Sequence, residues 1–176
     1  GATVYGVILY GGAFHNTGTM DIEATATNGK VYGLRGTATT DFWENSGTID
    51  ASVTAYGGTC SGFISALESN KFSNFAVAIS LVCSAEGQKA HFINTTDGTL
   101  ILRAINHGKN TLSENAIGIE LDSKDTALDN AGSMDIHALE ANSFGISLQT
   151  YSQDATLTNS GNITIEATTN GQDQGQ

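Results

Sequence analysis

The sharpest outline of chemistry in this 176-residue chain is Gly58-Thr-Cys60-Ser-Gly62, which has the shape of a nucleophile elbow with Cys in place of Ser. Such an elbow works only on a strand-to-helix turn that brings the nucleophile within reach of a His. No helical pattern follows, and Gly62 already opens one of a series of repeated apolar segments, so no catalytic residue is assigned. The four histidines, His15, His91, His107 and His137, show neither an i, i+4 pair nor a neighbouring Cys cluster, so metal-ligand spacing is absent. Asp21 and Asp50, with Glu23 beside the first, fall at equivalent points of neighbouring repeats; such carboxylates either attract a cation such as calcium or stand solvated. The Gly-Gly-x-Gly-x-Asp repeat of calcium-binding β-rolls is missing, and no metal or cofactor is assigned. Cys60 and Cys83 read either as a disulfide closing a 24-residue loop, worth about 3 kcal/mol in the chain-entropy model, or as two independent small hydrophobes. Exposed aromatic rings give contact area at low entropic cost. Tyr10, Tyr56 and Tyr151 are the aromatics least explained by the repeat, and they are the candidate binding residues.

What positions these residues is a phrase that recurs along the chain, anchored at Gly18, Gly47, Phe75, Gly98, Gly132 and Gly161, at intervals of 29, 28, 23, 34 and 29 residues. Two residues before the anchor stand Asn16, Asn45, Ser73, Thr96, Asn130 and Asn159, short polar side chains suited to bonding backbone at a turn. After it, alternate positions are apolar. The first column holds Met20, Ile49, Val77, Leu100, Met134 and Ile163; the second Ile22, Ala51, Ile79, Leu102, Ile136 and Ile165; the third Ala24, Val53, Leu81, Ala104, Ala138 and Ala167. A period of two predicts a half-buried strand in every unit. His137 falls between Arg103 and Glu166 in an outward column, which reads as a solvated charge ladder. An earlier apolar segment opens on Gly6, Gly33, Gly62, Gly118 and Gly145, with the copy expected near residue 90 missing. A bulky residue, Phe14, Trp43, Leu128 or Leu157, precedes the polar turn.

Units of about 29 residues have room for three short strands and their turns, too few for a propeller blade, and lack leucine-rich spacing. The expected fold is therefore all-β, a parallel β-helix (β-solenoid) of about six coils over residues 1–169, followed by a polar tail, residues 170–176. Neither end has the pattern of a cap, which leads us to expect a fragment of a longer solenoid. Glycine at 21 positions and no proline place the turns on Gly, Asn, Asp and Ser. A net charge of −11 with only seven Lys and Arg argues against nucleic acid and against an anionic membrane surface. No apolar run approaches the ~20 residues of a spanning helix, so this segment is not expected to be membrane-embedded.

The phrases at Asn16 to Met20, Asn45 to Ile49 and Asn159 to Ile163, with Gly-Ile-x-Leu segments such as Gly118 to Leu121 and Gly145 to Leu148, resemble the passenger domains of bacterial autotransporters, the type V secretion family. The resemblance implies a right-handed coil, a passenger secreted or held at the bacterial cell surface through an outer-membrane β-barrel, and a non-enzymatic role as an adhesin or virulence-associated scaffold. Partners would then be a host-surface protein, a glycan or a second passenger. The serine protease and GDSL-type serine motifs of enzymatic passengers are absent. The alternatives are a polysaccharide-active β-helix enzyme, for which basic residues are sparse, and a pure stalk carrying a distant effector.

Overall fold

The computed structural model of the chain describes residues 2–10, 12–27, 29–37, 42–56, 60–61, 74–82, 90–107, 115–121, 126–140, 142–148 and 155–169. Every regular element among them is a strand: β1 (Ala2–Tyr10), β2 (Phe14–Asn16), β3 (Thr19–Ala26), β4 (Gly29–Thr37), β5 (Trp43–Asn45), β6 (Thr48–Ala55), β7 (Cys60–Ser61), β8 (Asn74–Val82), β9 (Ala90–Asn94), β10 (Thr99–Asn106), β11 (Asn115–Leu121), β12 (Thr126–Asn130), β13 (Ser133–Leu139), β14 (Asn142–Leu148), β15 (Thr156–Asn159) and β16 (Asn162–Thr168). They form three parallel sheets: A in the order β1-β4-β8-β11-β14, B in the order β2-β5-β9-β12-β15, and C in the order β3-β6-β10-β13-β16. The short β7 pairs with the start of β8 in sheet A. Each coil contributes one strand to each sheet, so the architecture is a parallel β-helix of five coils. No helix among the described residues is long and apolar enough to cross a membrane.

Five coils replace the expected six. The copy anchored at Phe75 does not stack in sheet C, where β6 pairs directly with β10 and Ile49 meets Leu100. Its strand, β8, lies in sheet A between β4 and β11, with Ile79 in register with Leu34 and Ile119. Alternation alone could not separate the two sheets, because strands of both carry apolar residues at a spacing of two. The copy apparently missing near residue 90 is thus β8 itself, with Ala78 standing between Gly33 and Gly118. Ala78 and Ile79 are both fully buried there.

The columns elsewhere fall where the spacing put them. Phe14, Trp43, Leu128 and Leu157 stack in sheet B, where Phe92, which the spacing had not placed, joins them, and Ile22, Ala51, Leu102, Ile136 and Ile165 stack in sheet C. The interior divides into a wide part, built on Trp43, Phe92, Leu100 and Leu102 among others, and a narrow part lined by Ala24, Ala55, Ala104, Ala116 and Ala138 with Val31 and Val53. The third column shrinks to alanine because it lies in the narrow part. Glycine in sheet A allows the pinch: a Cβ on Gly118 would strike the Ile136 side chain and the Gly145 carbonyl.

Polar turns are tied by a buried asparagine ladder. Asn16 donates from Nδ2 to Asn45 Oδ1 at 2.8 Å, Asn45 to Asn94 at 2.8 Å, Asn94 to Asn130 at 2.8 Å and Asn130 to Asn159 at 2.7 Å. Each amide also donates to a carbonyl of its own turn, as Asn45 does to Gly47 at 3.0 Å. All four bonds run in one direction, so the amide dipoles align and reinforce one another. The third rung corrects the expected Thr96 to Asn94: a tight turn, closed by Gly98 N–H donating to the Thr95 carbonyl at 2.9 Å, puts two extra residues between the asparagine and the anchor.

Candidate functional site

Sheet C ends at a corner of the coil where side chains turn from the interior to solvent. Tyr56 follows β6 there, and its N–H donates to the Ala26 carbonyl of the preceding coil at 2.9 Å. His107 follows β10 one coil further on and is held the same way, by the Ala55 carbonyl at 2.9 Å. Parallel stacking therefore lays one ring over the other, with centroids 4.8 Å apart and planes inclined by 27°. Tyr56 remains 49% exposed. His107 Nδ1 lies 2.7 Å from Glu140 Oε2, so the ledge reads Tyr56, His107, Glu140 across three coils.

Glu140 adopts a left-handed backbone conformation, with φ of 65°, which costs an L-residue of this kind on the order of 1 kcal/mol. It is pinned there by its N–H donating to the Thr168 carbonyl at 2.8 Å and by Ser143 Oγ donating to its own carbonyl at 2.5 Å. The ledge thus combines an aromatic surface with a positioned carboxylate and an imidazole, groups that stack on a ring and bond hydroxyls.

Of the other two tyrosines singled out from the sequence, Tyr10 closes β1 in register with Thr37, at the first coil and away from Tyr56. Tyr151 lies outside the described residues, as do Cys83, the segment 62–73 and the tail 170–176. Tyr10 and Tyr56 thus lie at strands of different sheets and do not form one site. Cys60 and Ser61 form β7 and pair with β8, while the residues on either side of them in the Gly58 to Gly62 phrase lie outside the described ones.

The sequence pattern missed a second aromatic cluster. Tyr5 and Tyr32 stack at 4.9 Å and 14°, with the Arg35 guanidinium 5.6 and 5.4 Å from their centroids and Arg35 Nη1 donating to Tyr5 Oη at 2.9 Å. A twice-repeated Val-Tyr-Gly, at Val4 to Gly6 and Val31 to Gly33, was the available signal. Tyr32 is buried, and the trio clamps the first coil to the second.

The outer face of sheet C carries the charge ladder. Arg103 stands in register between Ser52 and His137 and bonds Asp50, while Asp21 lies in register with Asp50. His137 Nε2 is 3.1 Å from Asp135 Oδ2 and Nδ1 is 3.0 Å from Glu166 Oε2. The hydrogen bond that His137 donates to Asp135 raises the His137 pKa above its ordinary 6.5, burial opposes it, and Glu166 adds to the rise. Among the described residues no group of three or more His, Cys, Asp and Glu is arranged to hold a metal ion.

No protein-family model matches this chain, and neither a curated protein nor a solved structure matches it.

Proposed function

We propose that the chain is a non-enzymatic segment of a secreted or surface-exposed passenger of the autotransporter kind, a stacked scaffold that makes adhesive contacts along its side. The support comes from the phrase-level resemblance and from how the repeated columns are spent. Asparagines bond one another, apolar columns fill the interior, and Arg103 is engaged by Asp50.

The observation that carries an adhesive role is the ledge of Tyr56, His107 and Glu140, an aromatic surface left half open where the strands of sheet C end. A sugar ring or a polar protein loop suits it, since a ring stacks on the aromatic surface while Glu140 accepts from hydroxyls or amides. The test is a glycan and matrix-protein binding screen of the chain beside its Tyr56→Ala/His107→Ala variant. Losing two exposed aromatic contacts should weaken any captured ligand about tenfold or more. Binding that is untouched by the double substitution would remove the ledge from the account, and a chain that captures nothing would favour the stalk.

A further inference from the structure

Every histidine in the chain faces a carboxylate of the next coil. His15 Nδ1 lies 3.7 Å from Glu44 Oε1, His91 Nε2 lies 2.6 Å from Asp129 Oδ2, His107 Nδ1 lies 2.7 Å from Glu140 Oε2, and His137 Nδ1 lies 3.0 Å from Glu166 Oε2. The pairs are spread over two faces and a corner, and together they bridge the first coil to the second, the third to the fourth twice, and the fourth to the fifth. The repeat spacing displays this for His137 and Glu166 but not for the set, whose partners are 29 to 38 residues apart. Sheet register creates two of the pairs directly, opposing His15 to Glu44 and His137 to Glu166.

We propose that mild acidification tightens the stack: protonating the four histidines turns these imidazole-carboxylate contacts, hydrogen bonds at His91, His107 and His137 and a longer approach at His15, into ion pairs, each of which ties one coil to the next. Protonation puts a positive charge on the donor of a bond whose acceptor is already anionic, adding Coulomb attraction, and a parallel solenoid is held by contacts between neighbouring coils. Among the described residues each imidazole has an acidic group beside it. His15 meets Glu44 and the edge of Phe42; His91 meets Asp129, with Ala127 opposite; His107 meets Glu140 and the ring of Tyr56. At His137 the carboxylates of Asp135 and Glu166 prevail over burial, with Arg103 opposite and its own charge partly met by Asp50. Four protons also bring the formal net charge from −11 to −7, which relieves general repulsion without reference to any pair.

The experiment separates the pairs from that general effect. Thermal melting of the intact chain is followed from about pH 8 to about pH 5.5, a window that brackets the ordinary histidine titration and leaves carboxylates ionised. The expected result is a rise in Tm of about 2–4 °C or more on acidification, diminished by salt. A variant with Glu44→Gln, Asp129→Asn, Glu140→Gln and Glu166→Gln keeps all four histidines and should lose the rise. If it rises as much as the parent, net charge is the cause and the proposal is overturned. Should that variant fail to fold, the imidazole titrations of the parent, followed by NMR, decide: proton uptake at His91, His107 and His137 no easier than in Glu166→Gln, Glu140→Gln and Asp129→Asn single variants overturns it equally.

Discussion

Ile136 and Ile165 occupy the same column of sheet C, are preceded by nearly the same phrase and lie in register with each other, yet Ile136 is fully buried and Ile165 is 48% exposed. The only difference is that Ile136 has a coil on either side, whereas Ile165 has one on a single side among the described strands. Burial in this fold is therefore conferred by neighbours and not by the coil that carries the residue, as a quasi-one-dimensional stack requires. The largest test of that contrast is Ile136→Asp. Burying an unpaired carboxylate in place of an isoleucine adds a desolvation cost to the roughly 2–5 kcal/mol lost on truncating such a side chain. The same substitution at Ile165 leaves the carboxylate in reach of water and should cost about 1 kcal/mol. Equal shifts in denaturation midpoint for the two variants would break the comparison.

The anchor glycines repeat it with backbone in place of side chain. A Cβ on Gly132 would land on the carbonyl oxygens of Gly98 and Thr95, while one on Gly18 meets open space. Gly132→Ala should therefore cost about 1–3 kcal/mol through displaced backbone. Gly18→Ala should be neutral or slightly stabilising, by up to about 1 kcal/mol, because alanine restricts the unfolded chain. The asparagine ladder offers a somewhat smaller contrast. Asn94→Ala removes an amide that accepts from Asn45 and donates to Asn130, Gly98 and the Ser133 carbonyl, leaving buried groups on both sides without partners. About 1–3 kcal/mol should be lost. Asn159→Ala takes away one acceptor from Asn130, which keeps the Gly132 and Asn162 carbonyls, and should cost under about 1 kcal/mol, as chemical denaturation would measure.

These contrasts also show which features the sequence could carry. The period-two columns and the Asn and Gly of the turns are local, so the strand in each unit and the stacking of Asn45, Asn130 and Asn159 were legible directly. The assignment of residues 74–82 was not, since Phe75, Val77 and Ile79 alternate equally well for either sheet; Ala78 in the glycine column decides between them only once β4 and β11 are seen alongside. Asn94 was hidden by the two-residue lengthening of its turn. At the candidate site, Tyr56 stood out because no column claimed it. His107 and Glu140 did not, because their relation to Tyr56 depends on the rise between coils and on the left-handed turn at Glu140.

The subtlest contrast is between charge pairs of one ladder. Asp50 meets Arg103 as carboxylate and guanidinium, whereas His137 between Asp135 and Glu166 gains its charge only on protonation. Its folded pKa is raised above 6.5, so the stability it contributes is fully present below about pH 6.5 and is lost as pH rises through the higher folded value. His137→Gln should therefore leave the stack weaker than the parent at pH 6 and nearly equal to it at pH 8, a difference of less than about 1 kcal/mol that salt reduces. Asp50→Asn should lower stability by a similar small amount at both pH values, because Arg103 does not titrate there. Denaturation midpoints of the two variants at the two pH values check the sign: a His137→Gln penalty that grew toward pH 8 would mean that the neutral imidazole, and not the cation, is what the fourth and fifth coils hold between them.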